Sequence, residues 1–233
     1  GKARLNWNLG FRWKSFRFRL GFALSVLAIA LIVPSFAKVN SMATTLLDNG
    51  FSAARNLASA GDLLQNAFSS QGEGNQTGAR DSATAAKLQF DAAYGNFIAA
   101  QQQVESLGNA TLSVLSAVPG LGSNVRTGNA LLSLGTHVSE MGTAFSNSLL
   151  AFDGLSFEQL FTDEQPLTER LRAAETHLSR ALQSALAASD DLEKIDPNVL
   201  PDRIAAEVAL MREHVPMFRK AASDALAFFN FFS

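Results

Sequence analysis

The chain has 233 residues, 47% of them hydrophobic and 17% charged, and it contains no cysteine. That is enough for one sizeable domain plus an anchor, and it excludes disulfides, thiolate zinc sites and thiol nucleophiles together. The net charge of −2 hides an asymmetry: Lys2, Arg4, Arg12, Lys14, Arg17 and Arg19 precede the first acid, Asp48, so everything after residue 20 sums to −8.

A basic head on an acidic body implies two environments. Residues 1–19 interleave cations with aromatics, and Trp7, Trp13, Phe16, Arg17, Phe18 and Arg19 fall where an interfacial belt on an anionic leaflet would lie. The same interleaving suits phosphate contact and base stacking, but a greasy segment follows at once, so lipid rather than nucleic acid is the expected partner. Leu20 to Val33 is free of charge, and the uncharged stretch runs to Ala37. Eighteen helical residues span roughly 27 Å, just enough for the hydrocarbon core. With six cations before this segment and only Lys38 just after it, the N-terminus is expected in the cytoplasm and the rest outside the plasma (inner) membrane. Ser35-Phe36-Ala37 also fits a signal-peptidase site. A pilin-like leader is a third reading, which Val26 argues against because it stands where such a protein carries an acid.

From residue 38 the pattern is that of an extracytoplasmic helical bundle. Leu46, Leu47, Phe51, Ala54, Leu57, Ala58, Leu64 and Phe68 predict a first helix, and the Gly-, Ser- and Asn-rich residues 69–80 predict an exposed loop. Its Gly72-x-Gly74 spacing follows no strand and reads as plain loop rather than as a phosphate cradle. Asp81 or Ser82 should cap a second helix. That helix carries Ala86, Phe90, Ala93, Phe97, Ala100, Val104 and Leu107 at alternating steps of four and three. Such a heptad seam suits an antiparallel bundle, and its Ala–Phe alternation predicts a close partner helix offering complementary bulk.

Pro119, Gly120 and Gly122 mark a turn near 119–123, with Ser123 or Asn124 as the next cap and free amides able to take an anion. Helix three repeats Gly128, Gly135 and Gly142 every seven residues. Each costs about 1 kcal/mol relative to Ala, so compensation is expected, most simply backbone-to-backbone contact with a neighbour; an open groove for an apolar ligand is the alternative. After a turn over 154–165, Leu167, Leu171, Ala174, Leu178, Leu182, Ala185 and Leu192 form the stripe of helix four. A turn at 196–200 leads to helix five, with Ile204, Val208, Met211, Val215, Phe218, Ala222 and Phe229 facing inward and a kink expected at Pro216. The fold class is therefore all-α: an N-terminal transmembrane helix, then an elongated antiparallel bundle of about four to five long helices.

Chemistry-bearing residues do not converge in the sequence. His137, His177 and His214 fall on three helices without metal-ligand spacing and read as surface or boundary residues. Asp163 with Glu164, and Asp190, Asp191 and Glu193, read as solvated acidic faces rather than calcium loops or acid–base pairs. No Gly-x-Ser-x-Gly elbow is present. No catalytic, cofactor or metal residue is assigned, and an enzyme is not expected.

The order of features, with Ser116-Ala117-Val118-Pro119-Gly120-Leu121-Gly122-Ser123-Asn124 followed by Arg126, and with Lys194-Ile195-Asp196-Pro197, resembles an uncharacterised family of single-pass cell-envelope proteins of Gram-positive-type bacteria. The likeness covers most of residues 12–233. It implies a membrane-anchored helical stalk, with a further domain beyond Ser233. Phe228, Phe229, Phe231 and Phe232 would then meet that domain, another subunit or the membrane. A non-catalytic scaffold is the expected function. A chemoreceptor-type sensor bundle, or an accessory subunit using Gly21, Ala23, Ser25, Ala28 and Ala30 to pack its span, are the alternatives.

Overall fold

The computed structural model describes residues 40–106, 121–151, 167–200 and 202–232. They form five long helices: α1 Asn40–Gly72, α2 Gln76–Ser106, α3 Leu121–Ala151, α4 Leu167–Lys194 and α5 Asp202–Phe232, with a 3-10 turn Pro197–Val199 before α5. No strand occurs among the described residues. At 28 to 33 residues each, the helices are about 42–50 Å long. Among them none is long and apolar enough to cross a membrane. The expected span at 20–37, and the interfacial residues Trp7, Trp13, Phe16, Arg17, Phe18 and Arg19, lie outside the described residues.

Each helix packs on the next: α1 on α2, α2 on α3, α3 on α4 and α4 on α5. The seam predicted for α2 recurs along the molecule. Ala53, Leu57, Ala60, Leu64 and Ala67 are buried on α1, and Ala174, Leu178, Ala181, Ala185, Ala188 and Leu192 on α4. Both alternate steps of four and three, as antiparallel helices with a shallow crossing require. Phe68 and Leu182, expected inside, lie one position off these seams; Phe68 is 37% exposed and Leu182 half-buried. Val208, Met211, Val215 and Ala222 line α5 as expected, and the helix runs on through Pro216.

Helix α3 is the shared centre. Ala130, Leu131 and Leu132 are buried in succession, as are Leu134, Gly135 and Thr136, so this helix has no single dry face. It lies along α2 and α4, touches α1, and reaches α5 through Phe145 and Phe218, whose ring centroids are 4.5 Å apart. Three of the hydroxyls buried on it are satisfied within the helix. Thr136 donates to the Leu132 carbonyl at 3.1 Å, Ser139 to Gly135 at 2.7 Å and Ser146 to Gly142 at 2.9 Å.

The expected loop over 69–80 is instead a three-residue turn, Glu73 to Asn75. Asn75 N donates to Ser70 O at 2.8 Å and Gly74 N to Gln71 O at 3.2 Å, with Gly74 at φ +77°. This is the Schellman arrangement, which needs a left-handed residue that glycine supplies without a Cβ clash. Asn75 at once becomes the cap of α2, its side-chain oxygen accepting from Gly78 N at 3.0 Å. Capping by Asp81 or Ser82 is therefore corrected: the polar run is helix-forming once Asn75 has nucleated it. Ser123 is likewise not a cap, because α3 is already helical at Leu121.

Candidate functional site

The glycines of α3 find their role against α2. A Cβ on Gly135 would lie within 3.0 Å of the Phe97 ring, and one on Gly142 would do the same at Phe90. Phe90 and Phe97 are 2% and 0% exposed. The expected complementary bulk is thus complementary space. The large side chains of α2 enter notches where α3 has no side chain at all, so the contact is ring to backbone rather than backbone to backbone. The rings fill what an apolar ligand groove would need. Seven residues forward on α2 match seven back on α3, which puts buried Val104 and buried Gly128 at the next rung of the same antiparallel ladder.

The opposite side of α3 is polar. Asp191 on α4 is only 3% exposed, although the sequence reads it as part of a solvated acidic face. His137 Nδ1 lies 2.7 Å from Asp191 Oδ2, and Lys194 Nζ donates to Asp191 Oδ1 at 3.0 Å. Ser133 on α3 also favours the ionised carboxylate. Above and below this hub the seam continues. Ser184 of α4 donates to Glu140 of α3 at 3.4 Å, Ser123 donates to Asp196 Oδ2 at 2.8 Å, and Asp196 N donates to Thr127 Oγ1 at 3.1 Å. From α5, Arg212 gives both the Leu192 and the Ile195 carbonyl a hydrogen bond at 2.8 Å, satisfying acceptors that the end of α4 leaves open.

Electrostatics follow from this geometry. Burial alone would push the Asp191 carboxyl up, but hydrogen bonds from His137, Ser133 and Lys194 outweigh it and hold the group below the usual carboxylate range. The same hydrogen bond raises His137 above the ordinary imidazole value, against the opposing cost of burying the ring. His137 therefore donates from Nδ1 in either protonation state, since a carboxylate can only accept. His177, also on α4, is lowered by burial and then by Arg180, and its Nδ1 is buried without a hydrogen-bond partner.

This arrangement ties α3 to α4 through a buried carboxylate. His137 and Lys194 both bond the carboxylate, so Asp191 is the hub of this cluster. Among the described residues no group of three or more His, Cys, Asp or Glu side chains is placed to hold a metal ion. Asp190 and Glu193 are exposed as expected, whereas Asp163 and Glu164 lie outside the described residues. Phe228, Phe229, Phe231 and Phe232 belong to the last turns of α5, and their side chains lie outside what is described. His137 and Asp191 are the pair the sequence does not reveal. The one signal is that Asp191 sits one turn after Ala188 on the buried stripe of α4, where a carboxylate needs partners.

No protein-family model, curated protein or solved structure matches this chain.

Proposed function

We propose that the chain is a membrane-anchored, extracytoplasmic helical scaffold of the cell envelope, its N-terminus in the cytoplasm and its helices outside, contacting protein partners without catalysing a reaction. The observation that carries this reading is the uncharged stretch 20–37 directly behind six cations and an aromatic belt. Five rods of about 42–50 Å suit a stalk or spacer. The likeness of residues 116–124 and 194–197 to an uncharacterised single-pass envelope family supports the same role. An accessory subunit of a larger membrane complex is the second reading, favoured by the small residues Gly21, Ala23, Ser25, Ala28 and Ala30 within the segment.

The test is topology in a bacterial host. Alkaline phosphatase fused after Asn75 should be active, because that enzyme matures only outside the cytoplasm, while a fluorescent-protein fusion ahead of Trp7 should glow. Inactive phosphatase, with the helices protected from protease in intact spheroplasts, would overturn the scaffold reading. Gentle extraction distinguishes the second reading, which requires stoichiometric membrane subunits to travel with the chain.

A further inference from the structure

We propose that His137 and Asp191 form a pH-dependent latch that fixes the α4–α5 hairpin to α3, tight in mildly acidic surroundings and loosened as the medium turns alkaline. This goes beyond the scaffold reading and does not depend on where the chain resides. Three geometric facts carry it. The pair bridges two helices 54 residues apart in sequence at 2.7 Å; Asp191 is 3% exposed; and α5 is tied to the same end of α4 through Arg212. Whatever happens at Asp191 is therefore felt by both helices of the hairpin.

The surrounding charges set the direction. On α3 the imidazole is near Glu140, which favours its charged form; on α4 it meets Asp191 and, less favourably, Lys194. Arg212 of α5 is engaged with main-chain carbonyls, and on the α2 side Lys87 and Asp91 pair with one another, Asp91 also accepting from Thr143. With its folded value raised, His137 contributes stability that is fully present below about pH 6.5 and lost as pH rises through that folded value. Loss of the proton leaves the Nδ1 donor in place but removes the charge assistance, so the latch weakens rather than breaks. His177 responds the other way. Its lowered value gives stability present above about pH 6.5 and lost on acidification.

The experiment is native-state hydrogen exchange on the full chain in His177→Gln, which removes the opposing response. Between pH 6 and pH 9, after correction for intrinsic chemistry, opening of α4 amides from Ala181 to Leu192 should rise by about fivefold, the difference between a charged and a neutral hydrogen bond. Amides of α2 from Ala86 to Val104 should stay level. Adding His137→Asn, which keeps a donor but does not titrate, should abolish the rise. A flat α4 profile, a rise shared by α2, or a rise surviving His137→Asn each overturns the latch. Imidazole titration of His137 by NMR provides the second readout. It should lie above the ordinary range and fall back in Asp191→Asn, and an unshifted His137 overturns the proposal irrespective of how the variants fold.

Discussion

Helix α3 joins α2 through apolar shape and α4 through polar chemistry, and the two seams have different sensitivities. Against α2, Phe90 and Phe97 fill notches at Gly142 and Gly135, so this part of the contact depends on volume to within a methyl group and holds no titratable group. Against α4, small residues such as Ala181, Ala185 and Ala188 are interrupted by Asp191, whose partners are hydrogen-bond donors. That contact depends on charge as well as on fit. One helix can serve both neighbours because Gly135 and Gly142 face α2 with the nearby Ser139 and Ser146 hydroxyls turned back onto their carbonyls, while His137 faces Asp191 of α4.

The contrast can be broken hardest at the rings. Phe97→Ala should cost about 3–5 kcal/mol, because the facing Gly135 has no side chain with which to fill the void; chemical denaturation followed by circular dichroism measures it. A cost below about 1 kcal/mol would mean that the notch collapses and the ring is not the key of this seam.

The reciprocal change comes next. Gly135→Ala should destabilise by about 1–3 kcal/mol even though alanine gains about 1 kcal/mol of helix propensity, since its Cβ would fall inside the Phe97 ring. Combined with Phe97→Leu, the loss should be less than additive in a double-mutant cycle. Additive losses would show that the two residues do not meet.

On the polar side, Asp191→Asn should cost about 1–3 kcal/mol near pH 6 through the weakened hydrogen bonds of His137, Ser133 and Lys194. The depressed Asp191 contributes stability present above about pH 4 and lost below its folded value, while the raised His137 contributes below about pH 6.5. The wild-type advantage should therefore peak between about pH 4 and 6.5 and shrink above it. Urea midpoints of both proteins across the range from about pH 4 to 9 check this, and a constant difference would refute the charge-dependent seam. Phe97→Ala, by contrast, should show the same penalty throughout.

The smallest effect is a control. Gly95 lies within α2 with nothing within 4 Å of the position a Cβ would take, so Gly95→Ala should raise stability by about 0.5–1 kcal/mol in thermal melts. Destabilisation there would show that the glycines of this bundle are not sorted by what they face.

Much of this arrangement is legible one helix at a time. The 4–3 spacing from Ala86 to Val104 marks the buried face of α2, and the recurrence of glycine at 128, 135 and 142 announces that α3 gives up propensity for contact. The turn after Gly72 is misjudged from composition. Ser, Gly and Asn suggest a long loop, yet one glycine at positive φ and one asparagine cap suffice, and the flanking residues remain helical. Asp191 is misjudged because two neighbouring acids, Asp190 and Glu193, are exposed, and composition cannot separate an inward carboxylate from an outward one.

Read along the chain, local propensity and a repeat of 3.6 residues per turn are enough to define the helices and their periodic faces. They also reveal the sevenfold spacing of phenylalanine on one helix and glycine on the next. Which ring enters which notch, and which histidine reaches Asp191, emerges only when the helices assemble. Those pairings depend on antiparallel register, and register is set by turn geometry and the packing of whole helices rather than by any short stretch of chain.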